Sequence, residues 1–288
     1  MNGIIVINKE KNLTSRDIVN KACKYLKTKK IGHTGTLDPI ATGVLVLCVG
    51  KATKLVETIT SYDKEYIAEV ILGLKTDTLD ITGNVIKEEK ASFSKAKIEK
   101  SLTKMLGIYE QTVPIYSAIK VNGKKLYEYA RNNEEVVLPT RKVEIKKLEL
   151  LEDITYTDDK TIFKIKCSVT KGTYIRSLIN DLANSLNTIG TMSSLIRTKQ
   201  GNFILEDANT LDDLKNNKFK LFTIEEVLDG FPKIEVNDNL YSKIKNGALL
   251  KNNYNQDIIA FTKSKKVIAI YKKYDKNPNL IKPWKMFI

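Results

Sequence analysis

The sequence contains very little histidine and cysteine. Among its 288 residues His33 is the only histidine, and the cysteines Cys23, Cys48 and Cys167 lie far apart and form no Cys-x-x-Cys pair. One histidine excludes a multi-histidine metal site. An odd, scattered set of cysteines argues against a disulfide framework and a zinc knuckle. We therefore expect no metal, and chemistry that rests on Asp, Tyr, Lys or Arg side chains.

Long apolar runs are also missing. The longest uninterrupted one, Val44–Val49, is far shorter than the roughly 20 residues that cross a bilayer. The amino terminus begins with a strand-like run at residues 3–8 and lacks the layout of a signal peptide. We expect a cytoplasmic protein with no membrane association.

Positive charge is in excess and unevenly distributed. The chain has 48 Lys and Arg against 34 Asp and Glu, a net charge of +14. Residues 231–288 carry 12 Lys and 4 acidic residues, or +8, and residues 1–230 carry 36 basic and 30 acidic residues, or +6. Such a field attracts polyanions such as nucleic acid. A generally lysine-rich composition is the alternative, but the concentration in the last fifth favours an appended binding module.

Hydrophobic periodicity predicts an α+β fold. Strands are expected at residues 3–8, 44–49, 65–72, 142–151 and 161–169. Helices are expected at 15–27, capped by Ser15, and at 52–60, 94–106 and 174–186. Strands and helices do not alternate strictly, which disfavours a doubly wound sheet. The charge balance changes at Gly230-Phe231-Pro232, which predicts a boundary between domains at 1–230 and 231–288.

A loop at residues 32–43 concentrates three Gly, three Thr and one Pro around Asp38. Glycines permit close approach of a ligand to the backbone. No Gly-Lys-Ser/Thr follows them, which excludes a Walker phosphate loop. By local pattern alone, Asp38-Pro39 would be a helix N-cap followed by proline at the first helical position.

The run GHTGTLDPIATGVL, followed by Cys48, Gly50 and Ala52-Thr53-Lys54, resembles the signature of the bacterial tRNA pseudouridine-55 synthases, the TruB-type family. Further segments resemble that family in the same order: the Tyr66–Gly83 motif, QTVPIYSAIKVNGKKLYEYAR from residue 111, KGTYIRSL from residue 171 and Leu195-Ile196-Arg197. The resemblance implies a pseudouridine synthase fold, with a mixed, mainly antiparallel sheet flanked by helices. It also implies an RNA-binding insertion at about 111–141 and a small β-rich PUA-like module at 231–288.

The resemblance implies a catalytic set of Asp38, Tyr66 and Arg176. The family's nucleophile is the aspartate at position 38, paired with the arginine at position 176, and its tyrosine at position 66 stacks on the target base. Arg176 has independent support, since it falls in the first turn of a predicted helix, where the macrodipole disfavours a cation without an anionic partner. For Tyr66, a core tyrosine is the alternative that pattern alone favours.

Substrate-binding roles follow from the same resemblance. His33 would occupy the space left by the extruded base, Tyr174 and Leu195 would line the uridine pocket, and Asp80 would join the ion-pair network. Lys9 matches an amino-terminal lysine of the family, although Glu10 and Asn12 depart from the pattern there. Basic residues interleaved with tyrosines suit RNA, so RNA contacts are also predicted for Lys120, Lys124, Lys125 and Arg131.

These observations predict an enzyme that isomerises the uridine at position 55 in the T-loop of tRNA by base flipping and covalent catalysis. It would need no cofactor, because the reaction has no redox step and no group donor. tRNA is the expected partner, and we expect a monomer with no obligate protein partner. The alternative is an RNA-binding or tRNA-folding protein whose PUA-like module and basic insertion act without catalysis. A nucleotide-hydrolysing enzyme is disfavoured by the missing loop lysine.

Overall fold

The predicted site is carried by a large sheet. The computed structural model describes residues 1–151, 153–254 and 256–288. Up to residue 230 the strands are β1 (Gly3–Lys9), β2 (Ile31–His33), β3 (Thr42–Val49), β4 (Lys64–Leu72), β5 (Leu74–Thr76), β6 (Val85–Glu88), β7 (Gly107–Thr112), β8 (Lys120–Val121), β9 (Lys124–Lys125), β10 (Thr140–Leu150), β11 (Thr155–Thr157), β12 (Lys160–Val169), β13 (Gly190–Gln200) and β14 (Phe203–Ile204).

Helices flank this sheet. They are α1 (Ser15–Tyr25), α2 (Val56–Thr60), α3 (Lys95–Lys104), α4 (Leu126–Arg131), α5 (Ile175–Ser185), α6 (Leu211–Lys215) and α7 (Ile224–Val227), with 3-10 turns at Gly50–Leu55 and Leu205–Asp207. The described part of the chain contains no helix long and apolar enough to cross a membrane.

Strand order in the large sheet is β1-β3-β13-β4-β12-β10-β7, with β2 beside β3, β14 beside β13 and β11 beside β12. Strands β13 and β3 run parallel, and their register places Arg197 opposite Gly43. The other described pairs in this sheet are antiparallel. The predicted α+β class and the mixed, mainly antiparallel sheet are confirmed.

Strand β4 shows why the alternating pattern predicts this sheet. Its side chains at Lys64, Tyr66, Ala68, Val70 and Leu72 are buried, and those between them are partly exposed. Because side chains alternate across a strand, the buried row faces one core, which it shares with helices α1, α3 and α5.

Strands β1 and β3 have no exposed face along most of their length. Ile5 and Leu45 face the core under the helices, whereas Ile4 and Val44 face a second core on the opposite side. The second core includes Ala260, Val267, Ile270 and Phe287 from the carboxy-terminal part of the chain. Burial on both faces explains the continuous apolar run at 44–49, since a one-sided strand would alternate.

The carboxy-terminal residues form a small β-rich unit, consistent with a PUA-like module. Strands β15 (Lys233–Glu235), β16 (Leu250–Lys251), β17 (Ile258–Lys263), β18 (Lys266–Tyr274) and β19 (Asn277–Met286) form a sheet in the order β15-β17-β18-β19-β16. Helix α8 (Asp238–Lys245) packs on it, with Ile244 in a separate small core. The domain boundary at 230/231 stays a prediction.

One local prediction and one alternative were wrong. Helix α1 is capped by Thr14 and not by Ser15: the Thr14 hydroxyl accepts the Asp17 N–H, and the Asp17 carboxylate accepts the Thr14 N–H. No helix follows Asp38, whose carbonyl accepts the Ala41 N–H at 3.0 Å in a turn. The N-cap alternative for Asp38 is therefore excluded.

Candidate active site

An open cleft of about 690 Å³ lies where the loop after β2 faces the carboxyl end of β12, the start of α5 and the insertion. Its lining includes His33, Asp38, Tyr66, Tyr174, Arg176 and Leu195. These are six of the twelve site residues predicted from the sequence, and they come from four separate stretches of the chain. The fold therefore assembles in one place residues that are up to 162 positions apart, from 33 to 195.

The Asp38 loop is held at its start and its end by one buried arginine. Arg197, only 1% exposed, donates from Nε to the Val44 carbonyl at 2.6 Å and from Nη2 to the Gly35 carbonyl at 3.1 Å. Gly43 lies against the same residue with φ +96°, and a Cβ there would stand 2.3 Å from the Arg197 carbonyl oxygen. Only glycine combines that backbone conformation with that approach.

Further side chains fix the middle of the loop. The Ser15 hydroxyl accepts the Leu37 N–H at 2.8 Å and donates to the Leu37 carbonyl at 3.1 Å. Gln200 donates from Nε2 to the carbonyl and the hydroxyl of Thr34, at 3.0 and 2.8 Å. Asp38 therefore follows a segment whose backbone groups are bonded to three side chains from two elements, α1 and β13, which restricts where its carboxylate can lie.

The Asp38 carboxylate pairs with Arg176, with 2.9 Å between Oδ2 and Nη2. The Asp38 side chain is 38% exposed, so it can meet a ligand, whereas the Arg176 side chain is only 7% exposed. Arg176 is the second residue of α5, in its first turn as predicted. The unfavourable position against the helix dipole is offset by this anion and by a second one, Asp80.

Besides Asp38, the Arg176 side chain has three further partners. Its guanidinium donates to the carbonyls of Thr78 and Tyr116, each at 3.1 Å, and its Nε lies 3.8 Å from Asp80 Oδ2. Asp80 is buried and does not line the cleft. Its Oδ1 accepts hydrogen bonds from the Thr82 N–H and hydroxyl. Asp80 thus lies beside Arg176 and outside the lining of the cleft, and its assignment as a substrate-binding residue stays a prediction.

Tyr66, Leu195 and Tyr174 form the walls beside Asp38. Tyr66 lies on β4, 8% exposed, and Leu195 lies on the adjacent strand β13 opposite Ala68. Tyr174 is the residue before α5; its N–H donates to Gln111 Oε1 at 2.7 Å, and Gln111 Nε2 donates back to the Tyr174 carbonyl at 3.1 Å. The fully buried Gln111 thereby fixes one wall of the cleft.

His33 lines the cleft, and its surroundings favour the neutral form of the ring. Burial, together with the positive charge of Arg197, lowers the pKa of His33 below its usual 6.5. Its Nδ1 accepts the Gly35 N–H at 3.4 Å. A neutral, half-buried imidazole is suited to stacking and needs no carboxylate partner.

Lys9 is placed differently from the prediction. It is fully buried, and its ammonium donates to the carbonyls of Glu10, Leu13 and Pro39. Burial lowers the pKa of Lys9 to about 8. Asn12 adopts φ +67°, the left-handed conformation that its side chain tolerates, so the turn is kept despite the departure from the family pattern. Lys9 holds the loop backbone at Pro39 and cannot contact RNA from there.

The four basic residues of the insertion that are predicted to contact RNA lie outside the cleft. The segment between β7 and β10 forms the β8–β9 hairpin and α4, and Tyr127 is its residue that reaches the cleft beside residues 116–119. The described residues that line the cleft do not include Lys120, Lys124, Lys125 or Arg131. Lys125 and Arg131 lie over the ring of Tyr127, each 5.3 Å from its centroid, and Lys124 pairs with Glu134 at 2.6 Å.

Sequence reasoning assigned no role in the site to Arg197, Gln200, Gln111, Ser15 or Lys64. The last of these is a buried lysine in the cleft wall. Arg197 and Gln111 stood inside segments that resemble the family, and that is the only signal that could have identified them. Without that resemblance, charged or amide side chains on strands are expected to be exposed to solvent.

The described residues hold no group of three or more His, Cys, Asp or Glu side chains that could bind a metal. The arrangement that they do hold is a partly exposed carboxylate beside a buried guanidinium and a tyrosine. The carboxylate can form a covalent bond to an electrophilic carbon, and the guanidinium offsets its negative charge while it is free.

Comparisons with known proteins identify the family. The amino-terminal-domain model of the TruB family pseudouridylate synthases matches residues 23–175. Proteins described as tRNA pseudouridine synthase B from Bacillus cereus and Bacillus pumilus are each 40% identical to this chain, over 300 and 301 residues. These matches cover 100% and 99% of this chain, and 98% and 97% of the relatives.

Solved structures share the fold at lower identity. A chain from the crystal structure of a Cbf5-Nop10-Gar1 complex superposes with a TM-score of 0.74 at 24% identity, covering 99% of this chain and 85% of that one. A chain from the archaeal box H/ACA sRNP Nop10-Cbf5 complex gives a TM-score of 0.71 at 22% identity, covering 99% and 86%.

Proposed function

This chain belongs to the TruB family of pseudouridylate synthases, which are tRNA-modifying isomerases, and we propose that it converts the uridine at position 55 in the T-loop of tRNA, with Asp38 as nucleophile. The observation that carries the proposal is the Asp38–Arg176 pair, 2.9 Å apart in a cleft that also contains Tyr66. The relatives' description supports the tRNA substrate. The assignment of the nucleophile rests on the site, and the position within tRNA rests on the resemblance of the motifs.

The reaction breaks the bond from ribose C1′ to N1 of uracil, turns the base and joins C1′ to C5; the proton lost from C5 is balanced by one gained at N1. Asp38 would form a temporary covalent bond to the nucleotide and leave at the end, so no group is consumed. Arg176 pairs with this carboxylate and supplies a positive charge beside it in the cleft. Tyr66, buried beside Asp38, would stack on the base and place its hydroxyl near the C5 proton.

The target uridine must leave its stack, at a cost of roughly a few kcal/mol. His33, at the edge of the cleft with a neutral ring, would fill the vacated place in the RNA loop. Tyr174 and Leu195 would hold the extruded base between an aromatic ring and an aliphatic side chain. The insertion, with Lys120 and Arg131 exposed, would follow the phosphates outside the cleft. We expect the protein to do this as a cytoplasmic monomer, without an obligate protein partner.

The test is pseudouridine mapping of unmodified tRNA transcripts after incubation with the purified protein. The expected result is one pseudouridine, at T-loop position 55, and none in a matched transcript with cytidine at that position. Product only in another arm of the tRNA would overturn the assigned position, and no product in any transcript would overturn the proposed reaction.

A further inference from the structure

Two buried cations in the cleft wall have no carboxylate partner. Lys64, at the start of β4, is 7% exposed, and Arg197, on the adjacent strand β13, is 1% exposed. Both line the cleft. Within the described part of the chain, neither has an acidic group within ion-pair distance; their hydrogen bonds go to backbone carbonyls. An uncompensated buried charge is costly, so this pair calls for an anion.

The Lys64 ammonium has more N–H groups than its described hydrogen bonds use. Two of its three N–H groups donate to the carbonyls of Thr60 and Tyr62, at 2.5 and 2.6 Å. Burial, aided by the charge of Arg197, lowers the pKa of Lys64 to about 8, because these two effects outweigh the attraction of the ammonium to Asp63. An anion at the remaining N–H would restore the favourable environment of an ammonium ion.

The position of Lys64 indicates which anion could reach it. Lys64 also lines a second groove of about 490 Å³, with Ser168, Lys199 and Asn202. The cleft and this groove therefore meet at Lys64, and a strand leaving the cleft would pass over it. The groove's two carboxylates are already neutralised, Asp63 by Lys146 at 2.6 Å and Glu65 by Lys166 at 3.1 Å. The exposed Lys171, on the cleft side, adds a further positive charge.

We propose that Lys64, with Arg197 behind it, binds one phosphodiester of the RNA backbone adjacent to the nucleotide that enters the cleft. The ammonium contacts the phosphate, and the buried guanidinium contributes its field while it holds the Asp38 loop. The site thereby links binding to chemistry, since the residue that anchors the catalytic loop also contributes its positive charge to phosphate binding. The proposal rests on the proposed function, because its ligand is the RNA substrate.

A purely structural role for Lys64 is the competing explanation. Its bonds to Thr60 and Tyr62 tie the end of α2 to β4, so substitutions could act through stability alone. The two roles differ in one respect: only phosphate binding makes the effect of a substitution depend on a particular phosphate of the RNA.

The experiment uses RNA stem-loops with the T-arm sequence, each carrying one uncharged methylphosphonate in place of a loop phosphate. Dissociation constants are measured for the full chain, for Lys64→Met and Lys64→Gln, and for the matched control Lys100→Met on the exposed face of α3. The Gln side chain keeps a donor for the carbonyls but carries no charge. The Lys64→Gln variant therefore replaces Lys64→Met in the measurement if the Met variant is unstable.

At one loop position, neutralising the phosphate should weaken binding by the wild type and Lys100→Met about tenfold, as expected for one charge-assisted hydrogen bond. The same neutralisation should change the affinity of the Lys64 variants less than about twofold, because their phosphate contact is already lost. Equal sensitivity of wild type and Lys64 variants at every position would overturn the site.

Pseudouridine formation by the wild type on the unmodified stem-loop is measured in the same preparations. Absence of product there would refute the proposed function. Normal product formation without any Lys64-dependent phosphate would refute the phosphate site alone.

Discussion

The cleft wall around Asp38 and the insertion opposite it are both rich in cations, yet the two regions use them differently. Arg176, Arg197 and Lys64 in the wall are buried and donate to backbone carbonyls. In the insertion, Lys120 and Arg131 are exposed. Buried cations fix loops and shape the environment of a reacting group, whereas exposed cations offer screened attraction to a polyanion. Changes at Arg176 in the wall should therefore affect the reaction, and changes in the insertion should affect binding.

The largest expected effect is on the rate of the reaction, measured separately from the affinity for tRNA. Arg176→Lys keeps a charge but cannot pair with Asp38 and also bond to Thr78 and Tyr116, and the single-turnover rate of pseudouridine formation should fall about 10³-fold. Saturating enzyme with limiting tRNA isolates this rate. Arg131→Met, its counterpart in the insertion, should leave the saturated rate within about twofold. A loss of rate in Arg131→Met and none in Arg176→Lys would contradict the claim that Arg176 acts in the reaction and the insertion acts in binding.

Two glycines with similar backbone conformations allow the packing of the Asp38 loop to be compared with that of the insertion. Gly43 (φ +96°) would place a Cβ against the Arg197 carbonyl oxygen, whereas Gly123 (φ +82°), in the insertion hairpin, would place one where no atom lies within 4 Å. Gly43→Ala should lower the free energy of unfolding by about 3 kcal/mol or more, and Gly123→Ala by about 1 kcal/mol. Urea unfolding measures both, and equal losses would show that the loop is not clamped as described.

Salt dependence tests the insertion directly. Lys120→Met combined with Arg131→Met should raise the dissociation constant for tRNA about tenfold and reduce the slope of log affinity against log salt by about 0.7 to 0.9 per lost contact. Filter binding at several salt concentrations gives the slope. Lys100→Met, on the exposed face of α3, is the control, and an unchanged slope in the double variant would exclude the insertion from the RNA interface.

The smallest expected effect concerns pH. Burial lowers the pKa of Lys64 from 10.5 to about 8, so the unfolded chain binds more protons between those values. The free energy of unfolding of the wild type, relative to Lys64→Met, should therefore rise as the pH increases through that window. The pKa of Lys125 in the insertion is raised by its hydrogen bond to Tyr127. The wild type should thus show no such rise relative to Lys125→Met.

Urea unfolding at about pH 7.5 and about pH 9.5 compares the two variants. A falling or unchanged difference for Lys64→Met would contradict the account of its burial.

Most of the sheet could be predicted from the sequence, since alternation as regular as that of β4 and β12 has one physical interpretation. An anionic partner could be predicted for Arg176 because the helix dipole disfavours a cation in the first turn, and such a cation often has an anion beside it. The identity of that partner came from the resemblance. Local pattern gave the wrong role for Asp38, because the Asp-Pro pair that starts many helices here precedes a turn.

The polar network of the wall could not be predicted. Arg197 meets Gly35 and Val44 only because β13 runs parallel to β3, across more than 150 residues of intervening chain. Lys9 and Lys64 are lysines, which are nearly always exposed, and no local signal marks them as buried. The cap of α1 was misplaced by one residue, since Thr14 and Ser15 are both good caps and Ser15 is used instead to hold Leu37.

Asp38→Asn tests the central claim most directly. The amide has nearly the same shape but cannot act as the nucleophile, so tRNA should bind within about threefold of wild type while pseudouridine formation falls below detection. Asp212→Asn, on the exposed face of α6, should retain full activity. A normal pseudouridine yield from Asp38→Asn, mapped at position 55, would contradict the assignment of Asp38 as nucleophile.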